Sequence, residues 1–511
     1  MKKKYLYHIA VSCLFIGFII TRFFRVTTIP SGFHVDEAGM AYDAWSLAHY
    51  GYDRHLNSWP MYLINFGGGQ SIMYAYLCAG LFKLFGYHPL LIRLPSIVFS
   101  FLTLLFGMLI AKKVYPQNKY LPLLTGLLLT ICPYFIMAGR FGFDCNLMLG
   151  MSTVFLYCFI QATDKQEYKW YVLSGITGGL VLYTYVLSYL VLPVFLIISL
   201  IYVIYHHKFD FKKWLCMGVF LGVLAFPLIW VQVVNMFDLP EMYMGIFTIT
   251  KLPKYRVSEL GHFSFGNFVR ALQSTFIGDT LDFNSIPGFP NLYYVSIGLF
   301  VIGILSILST LRKTLKTKSF FLSFFPFFWF CAMLIIESSL ESNTSKINGI
   351  FYATIFIVVE GFITIFVMLR KYARYVIGAL IVVYCIGFLR FSTYYYLGQY
   401  TVEHYPHELF FVTVTEAIHF LEENPQYQGK GTYMAEPGIL FALSTLAAPN
   451  ELLTFEAVST YYDYYHCSHL GEIEDGYNYI VTDIYTEYAD ELRKRGYTEI
   501  KFTNYSLFYQ E

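Results

Sequence analysis

Charge is scarce in this chain of 511 residues: Asp, Glu, Lys and Arg together make up 14%, against roughly 25% in soluble domains. With 57% of its residues hydrophobic, a soluble fold would have no room for the apolar surface, because single cores stop growing at about 250–300 residues. Lipid must therefore be the solvent for much of the chain. The few charges balance to +1, which argues against nucleic acid, whose partners present a strongly basic face. No Cys-x-x-Cys occurs among the nine cysteines, so neither a zinc knuckle nor a dithiol redox site is indicated. Cys13, Cys132, Cys158, Cys216, Cys331 and Cys385 fall inside apolar runs, and Cys78, Cys145 and Cys467 show no pairing pattern; free thiols are expected. No glycine run ends in Lys-Ser or Lys-Thr, which removes a P-loop. No small-x-small cleavage site follows Lys2-Lys3-Lys4 and the first apolar run, so that run reads as an uncleaved first helix.

Apolar runs and aromatic residues are what the chain has in plenty. A bilayer core about 30 Å thick takes about 20 apolar residues of helix. Runs near that length recur at 5–24, 90–110, 121–138, 147–161, 170–185, 187–205, 214–234, 292–311, 320–336, 347–369 and 375–389, which predicts a polytopic α-helical membrane protein of about eleven spans. Lys and Arg in the short loops set the orientation. With the N-terminus inside, the inner loops hold Lys112-Lys113, Lys165 with Lys169, Lys208 with Lys212-Lys213, Arg312-Lys313 with Lys316, and Arg370-Lys371 with Arg374. Arg22 and Arg25, at the outer end of the first helix, are the one pair out of place. The aromatic content of 20%, with 46 Tyr and 50 Phe, fits in part an interfacial belt.

Three stretches are too polar to span, and all fall outside: 27–89, 235–291 and 392–511. Within the first, 71–85 reads as a helix lying on the membrane surface. The chain thus divides into a membrane module, 1–391, and an extracytoplasmic α/β domain, 392–511. In the latter, 408–423 and 486–495 read as helices, 477–482 as a strand, and 498–508 as a strand pair.

Chemistry is therefore expected on the outer side. Asp36 and Glu37 stand about ten residues past the first helix in Ser-Gly-Phe-His-Val-Asp-Glu, an unusual acid pair in a charge-poor loop. Transfer of a sugar to a hydroxyl needs a carboxylate to take the acceptor proton as the sugar carbon becomes oxocarbenium-like. A lipid-phosphate leaving group needs no general acid, only cations to stabilise the developing charge. Candidates for those cations and their companions are Arg140 and Asp144 in the turn after the third helix, Lys346 and Asn348 before the tenth, and Lys83 and Arg93 where the first loop returns to the membrane. Taken singly, each has an ordinary explanation. The acid pair could be a helix cap, Arg140 and Asp144 at i, i+4 could pair with each other, and a lysine at a helix end could reach for headgroups. Glu360, inside the tenth helix, is an ionisable group at membrane depth; its place toward the inner half favours a buried hydrogen bond within the bundle.

The order of these features resembles the lipid-linked-sugar glycosyltransferases of the GT-C fold, in particular the protein O-mannosyltransferases and lipid A aminoarabinose transferases. In that branch an Asp-Glu pair follows the first helix, as Asp36-Glu37 does here. An Arg-Leu-Pro-Ser start of the second helix matches Arg93-Leu94-Pro95-Ser96, and an Arg with an acid follows the third helix, as Arg140 and Asp144 do. The resemblance implies a cell-envelope enzyme of the cytoplasmic membrane that transfers a sugar from a polyprenyl-phosphate donor to a glycan, lipid or protein acceptor, with inversion. It makes Asp36 the acceptor-activating base and Glu37 its orienting partner. Arg140 and Lys346 would hold the lipid phosphate, and Asp144 would place the sugar or Arg140. It implies no certain cofactor and leaves a divalent metal open. Two departures stand out. The family's Pro-Pro-Leu-Tyr segment is replaced by Trp59-Pro60-Met61-Tyr62 and then Phe66-Gly67-Gly68-Gly69-Gln70-Ser71, and its Lys-x-x-Arg-Tyr by Lys346-Ile347-Asn348-Gly349. The glycine run suggests a hinge. A flippase for lipid-linked glycans would show internal repeats and broken mid-membrane helices, of which none is evident. A non-catalytic assembly protein would tolerate change at Asp36.

Overall fold

A computed structural model describes residues 2–30, 32–65, 68–252, 261–278, 284–341 and 343–398. Beyond these it describes 400, 410–411, 417, 420–421, 423–427, 429–434, 472–482, 485–502 and 505–510. Each expected span is helical. In chain order the first helices are α1 (Lys2–Phe23), α2 (Val35–Tyr50), α3 (Ile72–Phe85), α4 (Pro89–Val114), α5 (Leu121–Ile131), α6 (Pro133–Ala138), α7 (Asp144–Lys165) and α8 (Tyr168–Leu182). There follow α9 (Ser188–Tyr205), α10 (Phe211–Met236), α11 (Phe265–Phe276), α12 (Val295–Thr317), α13 (Phe324–Glu337), α14 (Ile350–Leu369) and α15 (Ala373–Tyr396). Among the described residues seven stretches are long and apolar enough to cross a membrane: Tyr5–Phe23, Pro89–Val114, Asp144–Lys165, Ser188–Tyr205, Phe211–Met236, Val295–Thr317 and Ile350–Tyr396, the last holding both α14 and α15. The remaining expected spans, at α5–α6, α8 and α13, are shorter than about 20 residues per helix. Where α12 and α14 cross, a Cβ on Gly303 would collide with the Ile357 carbonyl and one on Gly361 with that of Leu299. Small residues bring membrane helices into backbone contact, and dispersion between close backbones replaces the missing hydrophobic force.

The expected span 121–138 is two helices, because Pro133 has no N–H to offer the carbonyl of Leu129. The next donor, the Tyr134 N–H, goes to the Asn291 carbonyl instead of Thr130. Arg22, fully buried, fills both vacancies, bonding the Leu129 carbonyl at 3.0 Å and that of Thr130 at 2.7 Å. The Tyr293 hydroxyl takes the carbonyl of Ile131 at 2.7 Å. An arginine that looked misplaced by the loop-charge rule is thus the repair of a proline break.

The polar segments gather at one end of the bundle. The first loop holds α2, α3 and a hairpin of β2 (Leu63–Asn65) and β3 (Gly68–Gln70). The glycine run is therefore a β-hairpin and not a hinge. Gly69 is needed because a Cβ there would strike the Tyr62 ring and come within 3.2 Å of Leu252. α3 begins at Ser71 as expected and buries Ile72, Tyr74, Ala75, Cys78, Ala79 and Phe82. The segment after α10 contains a hairpin of β4 (Met242–Met244) and β5 (Phe247–Ile249), then α11. Strand β1 (Phe33–His34) pairs antiparallel with β6 (Phe410–Phe411), which corrects the helix expected from residue 408. Most of 408–423 lies outside the described residues. The C-terminal part is α/β as expected: β7 (Thr432–Met434), β8 (Asn478–Thr482), α16 (Thr486–Lys494), β9 (Thr498–Lys501) and β10 (Tyr505–Tyr509). Its sheet has the order β7-β8-β10-β9, with β7 and β8 parallel and the other pairs antiparallel.

Candidate functional site

Asp36 and Glu37 occupy the first turn of α2, where negative side chains suit the partial positive charge of a helix start. His34 is the N-cap, its Nδ1 accepting the Asp36 N–H at 3.1 Å. Glu37, three residues into the helix, closes a capping box by accepting the His34 N–H at 2.9 Å. The cap reading and the functional reading of the acid pair therefore divide between its two members.

Glu37 is 0% exposed. Beyond His34, its carboxylate takes the Arg93 Nε–H at 3.2 Å and the Gly142 N–H at 2.5 Å. Gly142 can approach because it has no Cβ, which would sit 3.1 Å from the Glu37 Oε1. Arg93, also buried, spends its other donors on the carbonyls of Val26, Pro30 and Gly32. Sequence reasoning placed Arg93 on a donor phosphate; the geometry instead makes it the buried partner of Glu37, joining α4 to the start of the first loop.

Arg140 is equally enclosed. Its Nε–H goes to the Tyr395 hydroxyl, and its remaining donors go to the carbonyls of Thr21, Arg22, Phe24 and Ile29 at 2.6–3.1 Å. Three of these lie at the end of α1, where the last carbonyls have no helical partner. Arg140 is thus a side-chain cap on α1, with five acceptors from its own chain, and the expected place on the lipid phosphate does not fit this arrangement. Asp144 accepts the N–H of Ser71 at 2.9 Å, fastening the start of α3 to the start of α7.

The groups that do converge lie between Asp36 and the loop before α14. The His34 ring beside Asp36 packs edge-on against Phe143 at 4.8 Å, next to Asp144, and the Asn284 amide reaches the Cys145 Sγ at 3.8 Å. Asn348 also bonds the Cys145 carbonyl. Asn146 and Asn284 exchange bonds of 3.2 and 2.9 Å, and Asn284 reaches Ser345 Oγ at 3.2 Å. Asn343 Oδ1 accepts the N–H groups of Ser345 and Lys346 at 3.1 and 2.9 Å, fixing the turn that carries the half-buried Lys346. Asp36, with its side chain 45% exposed, is the most open acid of this cluster.

Lys83 does not join it. It is exposed in the last turn of α3, twelve residues beyond the Ser71 that touches Asp144, or about 18 Å along the helix. Glu360 has the expected bundle bonds, from Tyr115 at 3.1 Å and Ser306 at 3.2 Å. Sequence reasoning missed two of the amides, Asn146 at the start of α7 and Asn284 in Asp-Phe-Asn-Ser-Ile-Pro, an ordinary turn signal. Among the described residues no three of His, Cys, Asp and Glu are placed to share a metal ion.

Residues 69–230 match the dolichyl-phosphate-mannose-protein mannosyltransferase family. Two crystal structures of ArnT from Cupriavidus metallidurans are similar over nearly the whole chain. The apo form has a TM-score of 0.59 at 13% identity and covers 100% of this chain and 98% of its own. The form bound to undecaprenyl phosphate has a TM-score of 0.54 at 12% identity and covers 98% and 97%. No match appeared among curated protein sequences. At such identities the structural likeness shows the fold, and the family match adds the kind of enzyme. The chain thus has the fold of the ArnT structures, and its residues 69–230 match the mannosyltransferase family model.

Proposed function

We propose that the chain transfers a sugar from a polyprenyl-phosphate donor to a hydroxyl of a cell-surface glycan, lipid or protein, with Asp36 as the base that accepts the hydroxyl proton. The observation that carries this reading is the division of labour in one helical turn: Glu37 is enclosed by Arg93, Gly142 and His34, while Asp36 keeps a side chain 45% exposed. A base must be reachable by the substrate hydroxyl, and of the two acids Asp36 is the exposed one. The donor class rests on the family's dolichyl-phosphate mannose and on the undecaprenyl phosphate bound by the ArnT neighbour. Attack of the acceptor oxygen on the sugar carbon from the face opposite the phosphate breaks the sugar–phosphate bond; the proton passes to Asp36, and polyprenyl phosphate leaves as the anion. Lys346, held by Asn343 at the mouth of the amide cluster, supplies the cation for that anion. The amides of Asn146, Asn284 and Asn348 supply neutral donors and acceptors beside it. Asp144 acts through position, holding α3 against α7. The outer face of the cytoplasmic membrane follows from the lysine and arginine of the short loops, with residues 392–511 as an extracytoplasmic domain.

Purified protein in vesicles, supplied with a panel of polyprenyl-phosphate sugars and cell-envelope glycan or lipid acceptors, tests the reading. Release of polyprenyl phosphate matched by glycosylated acceptor is expected with one member of the panel. Transbilayer movement of the donor without sugar–phosphate cleavage would replace the enzyme by a flippase.

A further inference from the structure

The hairpin β4–β5 turns on Gly245, which has φ of 65°, and presents almost nothing polar at its tip. Tyr243 is 71% exposed and Ile246 63%, with Met242 and Met244 exposed beside them. A water-facing hairpin normally alternates apolar and polar faces; this one shows apolar side chains where solvent should be. The surface does not stop at the hairpin. Down the length of α10, Val223, Phe226 and Ile229 are exposed, and Met236 and Phe237 continue the stripe at 68% and 66% exposure. In a membrane-spanning helix such a stripe faces lipid, and the apolar side of the hairpin adjoins its end at the Trp230–Met242 contact. Trp230, whose indole N–H reaches the Met242 sulfur at 3.3 Å, stands at the junction, and tryptophans gather where bilayer meets water. Glu241, the acid that leads into the hairpin, has its pKa raised by burial and by the charge of Asp53, which eases its place beside apolar surroundings.

The root of the hairpin is fastened to the first loop. The Thr248 N–H bonds the Ser58 carbonyl at 3.0 Å, the Met61 N–H bonds the Thr248 carbonyl at 2.9 Å, and Thr248 Oγ1 reaches the Ser58 carbonyl at 2.8 Å. Below these bonds Met61, Tyr62, Ile249, Val231 and Val234 pack as one cluster. We propose that the tip of this hairpin is seated in the lipid leaflet on the loop side of the bundle. Its partner is the headgroup and upper acyl region, and through its root it fixes the depth of the loop that carries Asp36. The occupant is lipid because the apolar surface adjoins the lipid-facing stripe of α10.

Spin labels on Tyr243→Cys and Ile246→Cys test this in a chain whose exposed Cys13 and Cys385 are replaced by Ser. The protein is reconstituted in phosphatidylethanolamine and phosphatidylglycerol vesicles, and the label-free parent gives the background. Both labels should relax more with oxygen than with a water-soluble nickel chelate, as lipid-seated positions do. A label at Asp238, whose side chain is 89% exposed, should show the reverse. Dominant nickel access at 243 and 246 would place the tip in water and overturn the proposal; shielding from both reagents would place it against protein and overturn it as well. The measurement needs no turnover, so it stands or fails apart from the transferase reading.

Discussion

At the scale of single residues, three buried arginines carry much of the architecture around the site. Arg22 fills the carbonyls freed at Pro133, Arg93 neutralises Glu37, and Arg140 caps the end of α1. Each guanidinium has its donors matched to its own chain. For Arg140 this changes the expected phenotype. Arg140→Ala should cost roughly 3–5 kcal/mol of stability, since it strands several buried carbonyls, and the protein that remains folded should keep a near-normal kcat. Thermal unfolding in detergent alongside steady-state kinetics would show this. A kcat lowered a hundredfold at unchanged Tm would return Arg140 to the phosphate. A second residue-scale effect lies in α2. Asp43 is buried against Arg54, 3.3 Å away, yet burial outweighs that attraction and pushes its pKa up to about 7 from 3.8. A carboxyl whose folded value is raised binds its proton more tightly in the folded state. Its contribution is therefore fully present below about pH 4 and is lost as pH climbs through about 7. Asp43→Asn should flatten the fall in Tm across that window; an unchanged pH profile would remove Asp43 as its source.

At the scale of elements, the spans were legible because twenty-residue apolar runs leave little choice in lipid. Polar hairpins and caps were harder to read. Gly67-Gly68-Gly69 reads as a hinge from sequence because glycine is permissive, and nothing local reveals that Tyr62 and Leu252 press on Gly69 from elsewhere in the fold. The pairing of Phe410–Phe411 with Phe33–His34 joins segments nearly the whole chain apart, a distance no periodicity spans. The amide cluster joins Asn146 at the start of α7 to Asn284 and Asn348 in two separate loops, and only Asn348 was singled out from sequence. Gly69→Val should destabilise the protein by about 1–3 kcal/mol through overpacking, whereas Gly80→Ala, with open space around its Cβ position, should be neutral or slightly stabilising. Equal Tm values for the two variants would contradict the packing account of the glycine run.

For the whole molecule, the described parts of the large segments meet at one end of the bundle, as shown by the Ser58–Thr248 bond and by the pairing of Phe33–His34 with Phe410–Phe411. The short loops at the other end carry the lysines and arginines, such as Lys113, paired with Asp164 at 2.5 Å. The proposed orientation puts the loop end outside. In the C-terminal sheet Thr432 is fully buried, whereas Gln426, in a short 3₁₀ turn, is exposed and serves as the labelling site. A membrane-impermeant thiol reagent applied to intact cells should modify Gln426→Cys and spare Lys316→Cys; the reverse pattern would invert the topology and move the chemistry to the other face. The central claim is the role of Asp36, and it is tested most directly by kinetics and thermal unfolding of Asp36→Asn and Glu37→Gln in reconstituted enzyme. The account predicts that Asp36→Asn keeps its Tm and loses about 10²–10⁴-fold in kcat, while Glu37→Gln, leaving Arg93 buried without its counter-charge, loses stability of roughly 3–5 kcal/mol. Transfer by Asp36→Asn within a few-fold of the parent, in correctly inserted protein, would contradict it.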